Sequence, residues 1–383
     1  MNFVKIMNKH RNYIFIMGGM KMDNKVVSKL KQKNKELIDI LIQKVHNEYE
    51  NEIDLIGVCG SFFTGDFHEK SDLDLLVVLN NARGGGFSTC FILEDVGYDL
   101  YGSSWTKLEK MASFEHTFVS HVIDVDIVYC RESKCRERFM ELRQNALNVI
   151  NSPMTTELLE KSKKQLDDAI LTYGKMMLEY ELGAVRKYSG DIIYYLNDTV
   201  CFLNHSYFKL GVKHHLEEML GMERVPKKLE KYFNDVIYAG TVNDIKVTTS
   251  KLVKTVKDLY DEIAEETLEK AVPTKDNLKG TYEEIWSNWK NKIQYAVANK
   301  NILLAFSSGA SCQEFYNEMH IERGTAPINL MKHFQADNLD AFANAFEEAM
   351  LLYKEEYDRL HMQVLSYASI DEFRKDYLKL DNM

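Results

Sequence analysis

The chain has 383 residues, 45% of them hydrophobic and 28% charged, and a formal net charge of −10. That composition supports ordinary cores over two or three domains and excludes a disordered chain. The acidic balance argues against tracking of a nucleic acid, which calls for a basic stripe; it suits a cationic acceptor, or serves solubility alone.

Residues 1–22 hold a basic start and a short apolar run, Tyr13 to Met17. The run is shorter than a signal-peptide core and no small-x-small cleavage site follows. We read it as a leader, either an arm of loose order or an over-long gene start with Met17, Met20 or Met22 as the true one. No segment approaches the length of a transmembrane helix. The six cysteines, at 59, 90, 130, 135, 201 and 312, show no Cys-x-x-Cys or zinc spacing. Cys59 and Cys201 lie in apolar runs and read as packed thiols, and the reducing cytoplasm is the simplest compartment.

Val26 to Glu50 reads as an amphipathic helix. Leu55 to Cys59 reads as a strand ending at Gly60, and Leu75 to Leu79 as a second strand bounded by Asn80 and Asn81. Gly60 lets the backbone approach a phosphate, and Ser61 is expected to cap a following helix and offer its hydroxyl. At the head of the second strand stand Asp72 and Asp74, two apart and so expected on one face. Two such carboxylates repel unless a cation lies between them. A divalent metal carrying a nucleoside triphosphate answers that need.

A Gly-Ser pair, ten residues and then Asp-x-Asp resembles the signature of the polymerase-β-like nucleotidyltransferase superfamily; Gly65 and Ser71 fit its small-molecule form. The resemblance covers about Leu55 to Tyr129 and implies a third carboxylate on a neighbouring strand. The candidates are Asp99, Asp124 and Asp126. Val96 to Tyr101 reads as a strand followed by a capped helix start at Ser103 to Lys110, which resembles the third-carboxylate segment of small bacterial members. Ile123 to Tyr129 resembles the later exit strand, so Asp99 is preferred to Asp126, and Asp95 reads as solvated.

Beyond Asn151-Ser152-Pro153 the strand signals stop. Leu158 to Leu210 reads as helical, with a stripe of Ile192, Leu196, Thr199 and Leu203. Thr248 to Ala271 is another helix, and the polar stretch 271–277 a second boundary. Leu339, Phe342, Phe346, Met350 and Tyr353 are spaced for one buried helix face. The expected class is α+β: a leader (1–22), a minimal nucleotidyltransferase domain with a mixed sheet and flanking helices (23–150), a helical bundle (151–270) and a C-terminal helical domain (271–383).

This organisation resembles the aminoglycoside and lincosamide adenylyltransferases, which modify antibiotics. The run Phe202 to Lys209 also looks like a helix segment of related bundles, whereas the segment from about Gly280 departs from the shortest members. The resemblance implies transfer of a nucleoside monophosphate, AMP when ATP is the donor, to a hydroxyl of a small molecule, with release of pyrophosphate. It implies Mg²⁺ on Asp72, Asp74 and Asp99, phosphate contacts from Gly60 and Ser61, and a general base from the helical domain. For that base the candidates are Glu179 and Glu181, and Lys187 is a candidate for the triphosphate; each reads equally as a solvated helix charge. His68 is a loop residue within reach of a nucleotide, and adjacent His214 and His215 do not face one another for a shared metal. Two alternatives stand: a nucleotidyltransferase acting on a protein or RNA, as in toxin–antitoxin modules, and a degenerate nucleotide-binding module. The expected partner is a hydroxylated small-molecule acceptor, with neither nucleic acid nor membrane.

Overall fold

The structure, a computed structural model, describes residues 23–379, so the reading of the leader lies outside the described residues. It divides into two compact units, one up to Leu268 and one from Glu269. The N-terminal part is mixed α/β around a small sheet, and the chain beyond it is largely helical. Among the described residues no helix is long and apolar enough to cross a membrane.

In the first unit, α1 (Asn24–Lys44) starts at Asp23, whose carboxylate accepts the Lys25 N–H, and it ends in a π-helical turn at Val45–Tyr49. Strands β1 (Ile53–Val58), β2 (Leu75–Leu79), β5 (Gly102–Ser104) and β6 (Asp126–Cys130) form a four-stranded sheet in the order β5-β2-β1-β6. β1 runs antiparallel to β2 and β6, and β2 runs parallel to β5. Strands β3 (Thr89–Leu93) and β4 (Val96–Leu100) make a separate hairpin. Its two-residue turn has Glu94 and Asp95 at φ 52° and 60°, the left-handed pair that matches strand twist.

Two strand expectations need correction. β2 begins at Leu75, so Asp72 and Asp74 lie in the chain leading into the strand. Asp99 lies on β4, in the hairpin; the chain turns at Tyr101, and the strand that pairs with β2 is β5.

The sheet is covered on both faces, which is why β2 reads as an unbroken apolar run. Leu55, Leu76 and Val78 point towards α3 (Trp105–Ala112) and α5 (Ser133–Asn151), while Ile56 and Val77 pack on the far side with Val45. A short helix, α4 (Ser120–Ile123), brings Val122 into the first of these cores. The one buried charge on β1 is fully engaged. Asp54 accepts the Trp105 Nε1–H at 2.7 Å, and Arg131 donates to its other oxygen through Nε and Nη2, each at 2.8 Å. This set ties β1 to the start of α3 and the end of β6.

The long helical stretch read from Leu158 is two helices, α6 (Thr156–Met177) and α7 (Leu182–Leu203), with the chain turning between them. Ile192, Leu196, Thr199 and Leu203 are buried, as their spacing predicts. The Phe202 to Lys209 run leaves the helix after Leu203 and continues as a loop. A 3₁₀ turn at Val212–His214 leads to α8 (His215–Leu220), α9 (Leu229–Tyr238) and α10 (Val242–Thr267), the last being the helix expected from Thr248. Leu158, Cys201, Phe202 and Tyr207 share one apolar cluster with Leu76 and Phe139, so sheet and bundle have a common core.

The second unit comprises α11 (Lys275–Leu278), α12 (Thr281–Ile285), α13 (Asn291–Ala298), α14 (Ile302–Arg323), α15 (Leu339–Arg359) and α16 (Ile370–Tyr377). Its core is rich in tyrosine: Tyr357 donates its hydroxyl to the Leu278 carbonyl at 2.7 Å and accepts the Tyr282 N–H at 3.0 Å. Leu339, Phe342, Phe346, Met350 and Tyr353 are all buried on one face of α15.

Asp54→Ala should leave Arg131 half-buried without its partner and the Trp105 N–H without an acceptor. The expected loss is about 3 kcal/mol, since breaking one side of a buried pair costs more than the pair contributes. Urea unfolding of the full chain measures it; a loss under about 1 kcal/mol would mean that water replaces the carboxylate.

Candidate active site

The β1–β2 pairing runs one step past the strands, because the Cys59 N–H donates to the Asp74 carbonyl at 3.1 Å. Gly60 follows at φ 62°, a conformation that side chains disfavour. A Cβ at that position would stand 1.9 Å from Asp74 Oδ2. Glycine is therefore required twice, by the backbone turn and by the carboxylate beside it. The next turn, α2 (Gly60–Thr64), ends at Gly65 with φ 85°. Ser61 does not cap it: the residue at the N-cap position is Cys59, and no side chain caps the helix. The spacer that follows is held by its own hydrogen bonds. The His68 N–H donates to Ser71 Oγ at 2.9 Å, and the Ser71 N–H returns to the His68 carbonyl at 2.9 Å. The Lys70 N–H donates to His68 Nδ1 at 3.1 Å, so His68 braces the loop.

This frame presents Asp72 and Asp74 together. Asp74 is pushed up to about 6, first by burial, then by the charge of Asp72 and, more weakly, of Asp99; the Ser61 backbone N–H opposes the rise. Two carboxylates that disfavour each other's charge, with a third in electrostatic range, are a donor set suited to a hard divalent cation. Asp72 and Asp74 could hold such an ion, and Asp99 lies in electrostatic range of Asp74. As they stand, no three His, Cys, Asp or Glu side chains among the described residues are grouped to enclose a metal. Asp126 has no part in the shift of Asp74.

A cavity of about 530 Å³ opens against this frame. Gly60, Ser61, Asp72 and Asp74 line one side, and the bundle contributes Asp198 and the segment 208–213. Asp66 holds that segment in place, meeting Lys213 Nζ at 2.9 Å and His214 Nε2 at 3.1 Å. His214 also meets Glu217 at 3.0 Å, whereas His215 stacks on Phe208 with centroids 3.8 Å apart, so the two histidines serve separate contacts.

Asp198, which the sequence reading did not single out, is the unexpected member. It sits on α7 at 7% exposure, and burial alone pushes it up to about 7. Asp124, at the end of α4, also lines the cavity; it is raised by burial, and one of its oxygens is buried without a hydrogen-bond partner.

The structure does not bring Glu179, Glu181 or Lys187 to this cavity. Glu179 accepts the N–H groups of Tyr180 and Glu181 in the α6–α7 turn, at 2.8 and 3.0 Å. Glu181 is the N-cap of α7, accepting from Gly183 and Ala184 at 2.9 and 2.6 Å. These backbone bonds lower both acids, as befits caps. Asp198 lies seventeen residues further along the same helix, ~25 Å away. Lys187 is exposed and paired with Asp191 one turn on. The signal for Asp198 was a carboxylate inside the apolar run Leu196 to Leu203.

Residues 35–147, from within α1 to within α5, match the family model described as a nucleotidyltransferase domain. No curated protein matches the chain. Among solved structures the chain is similar to a nucleotidyltransferase-like protein from Exiguobacterium sibiricum 255-15, at 13% identity and a TM-score of 0.36, over 59% of this chain and 75% of that one. The family match supports a transferase whose general chemistry is movement of a nucleoside monophosphate.

Proposed function

We propose that the protein transfers a nucleoside monophosphate, AMP from ATP, to a hydroxyl of a small molecule. The observation that carries this reading is one cavity with Gly60, Ser61, Asp72 and Asp74 on one side and the unpaired, buried Asp198 on the other. Gly60 and Ser61 let the triphosphate approach the backbone. Asp72, Asp74 and Asp99 would hold Mg²⁺, which neutralises phosphate charge and lowers the pKa of the acceptor hydroxyl. Asp198 takes the proton of that hydroxyl. The acceptor oxygen forms a bond to the α-phosphorus, the bond from that phosphorus to the bridging oxygen breaks, and pyrophosphate leaves with the electron pair. A carboxyl titrating near neutrality is matched to this task.

The direct test is ATP labelled in its α-phosphate, with Mg²⁺, offered to aminoglycosides, lincosamides and other hydroxylated small molecules. Label should move to at least one of them. Label moving only to RNA or protein would overturn the acceptor assignment.

Asp72→Asn should leave the thermal midpoint nearly unchanged and Asp74→Asn should raise it at neutral pH, where it removes a buried charge, while each lowers transfer by roughly a hundredfold or more. Wild-type rates in either variant would remove the pair from the chemistry.

Asp198→Asn should separate activity from stability. Below pH about 4 the carboxyl is protonated in folded and unfolded chains alike and contributes nothing. Between there and about 7 the folded state keeps a proton that the unfolded chain has released, so stability falls as pH rises. Above that window the whole penalty stands, on the order of 4 kcal/mol at about 1.4 kcal/mol per pKa unit. Asp198→Asn should therefore be the more stable protein at pH 8 by roughly 2–4 kcal/mol, with the gain fading towards pH 4. Its transfer rate should fall by about 10²–10⁴. Denaturant unfolding across pH, beside the labelled-transfer assay, reads both.

A further inference from the structure

We propose that the outer face of the β3–β4 hairpin seats the nucleobase of the donor; this rests on the nucleotidyltransferase reading and extends it to a second subsite. The hairpin has two unlike faces. Val96, Tyr98 and Leu100 turn inward, and Tyr98 stacks on Phe91 with centroids 5.2 Å apart and planes 9° apart. On the outer face the register sets Cys90 opposite Asp99 and Ile92 opposite Gly97. That face is open, and apolar except for the exposed Asp99 carboxylate: Ile92 is 81% exposed and neighbouring Tyr101 is 61% exposed. At Gly97 nothing lies within 4 Å of the place a Cβ would take, so no side chain roofs the floor.

A second cavity, of about 450 Å³, lies against the hairpin, lined by Asp72, by residues 90–92 of β3 and by residues 97–99 of β4. Asp72 also lines the larger cavity that holds Gly60, Ser61 and Asp74. It is thus the shared wall between a polar compartment and an apolar one. A nucleoside triphosphate has that division in its own structure: phosphates that need charge compensation, and a base with a flat π-face that stacks on apolar surface. With phosphates beside Asp72 and Asp74, the base reaches the hairpin across Asp72. The one charged side chain on the face, Asp99, would be engaged by the metal, which leaves little to read the base's edge. The thiol of Cys90 is engaged with the Tyr101 hydroxyl at 3.2 Å. Stacking without edge contacts is indifferent to base identity, so the four common nucleoside triphosphates should bind within about tenfold of one another.

The test is calorimetric titration of the full chain, with Mg²⁺, by ATP and by inorganic tripolyphosphate, which has no base. Gly97→Trp fills the floor from a strand position at negative φ and pairs an aromatic ring with Ile92 across the hairpin, so the thermal midpoint should not fall. It should change ATP affinity by at least about tenfold, weaker where the indole fills the seat and tighter where the base stacks on it, and leave tripolyphosphate within about twofold. Ile92→Ser, at an exposed position, should weaken ATP. ATP binding unchanged in both variants would overturn the subsite and leave the nucleotidyltransferase reading standing. A wild-type chain that binds neither ATP nor tripolyphosphate would overturn both. A dimer that Gly97→Trp dissociates, with ATP affinity unaltered, would assign the face to a second copy of the chain and overturn the base seat.

Discussion

The Asp74 carboxylate occupies space that any side chain at position 60 would need, and the site is arranged around that overlap. The overlap exists because β1 and β2 keep their register to the last pair, Val58 with Leu75, and then add the bond from Cys59 to Asp74. Slipping the register by one residue would turn every apolar side chain of β2 to the opposite face. Since both faces are packed, that slip is prevented by the cores on either side of the sheet. Hydrophobic packing thus holds Asp72 beside Asp74 against their mutual repulsion, and Asp74 is raised first by its burial and then by the charge of Asp72.

The bundle supplies the opposite wall by the same means. Leu158, Cys201, Phe202 and Tyr207 join the core beneath the sheet, which brings the last turns of α7 over the Gly60 turn. Asp198 is carried there by a helix whose neighbouring residues are almost all buried. Its carboxylate has no compensating partner and makes the fold less stable at neutral pH than an uncharged residue would. Perturbed carboxyls of this kind cluster at functional sites, which is the ground for giving Asp198 a role in the proposed transfer.

What was legible in the sequence was local. Gly60, Asp72 and Asp74 announce themselves because a left-handed turn and a pair of acids before an apolar run have few other uses. The strands at Leu55 to Cys59 and Leu75 to Leu79 followed from their apolar runs, and the N-cap at Ser104, accepting the Lys107 N–H at 3.2 Å, was readable as a capped start. What was not legible depended on where helices stop and what covers them. The periodicity of residues 158–210 continues through the α6–α7 turn, so Glu179 and Glu181 read as helix-face acids when they are turn and cap. Asp198 is distinguished from a surface acid only by the elements packed over it. Asp99 was placed on the correct strand, but its membership of a hairpin rather than the sheet rests on the turn at Tyr101, which carries no strong local signal.

Strand β1 also works as a spacer. Near its start is Asp54, with Trp105 and Arg131; just past its end is Gly60, with Asp74. Six residue steps of extended chain separate them, ~20 Å. At that distance, and with no shared partner, substitutions at the two ends should combine additively in free energy. Evolution or design can therefore retune the anchoring end of this strand for temperature without touching the turn at the other end, and can vary the turn without loosening the anchor.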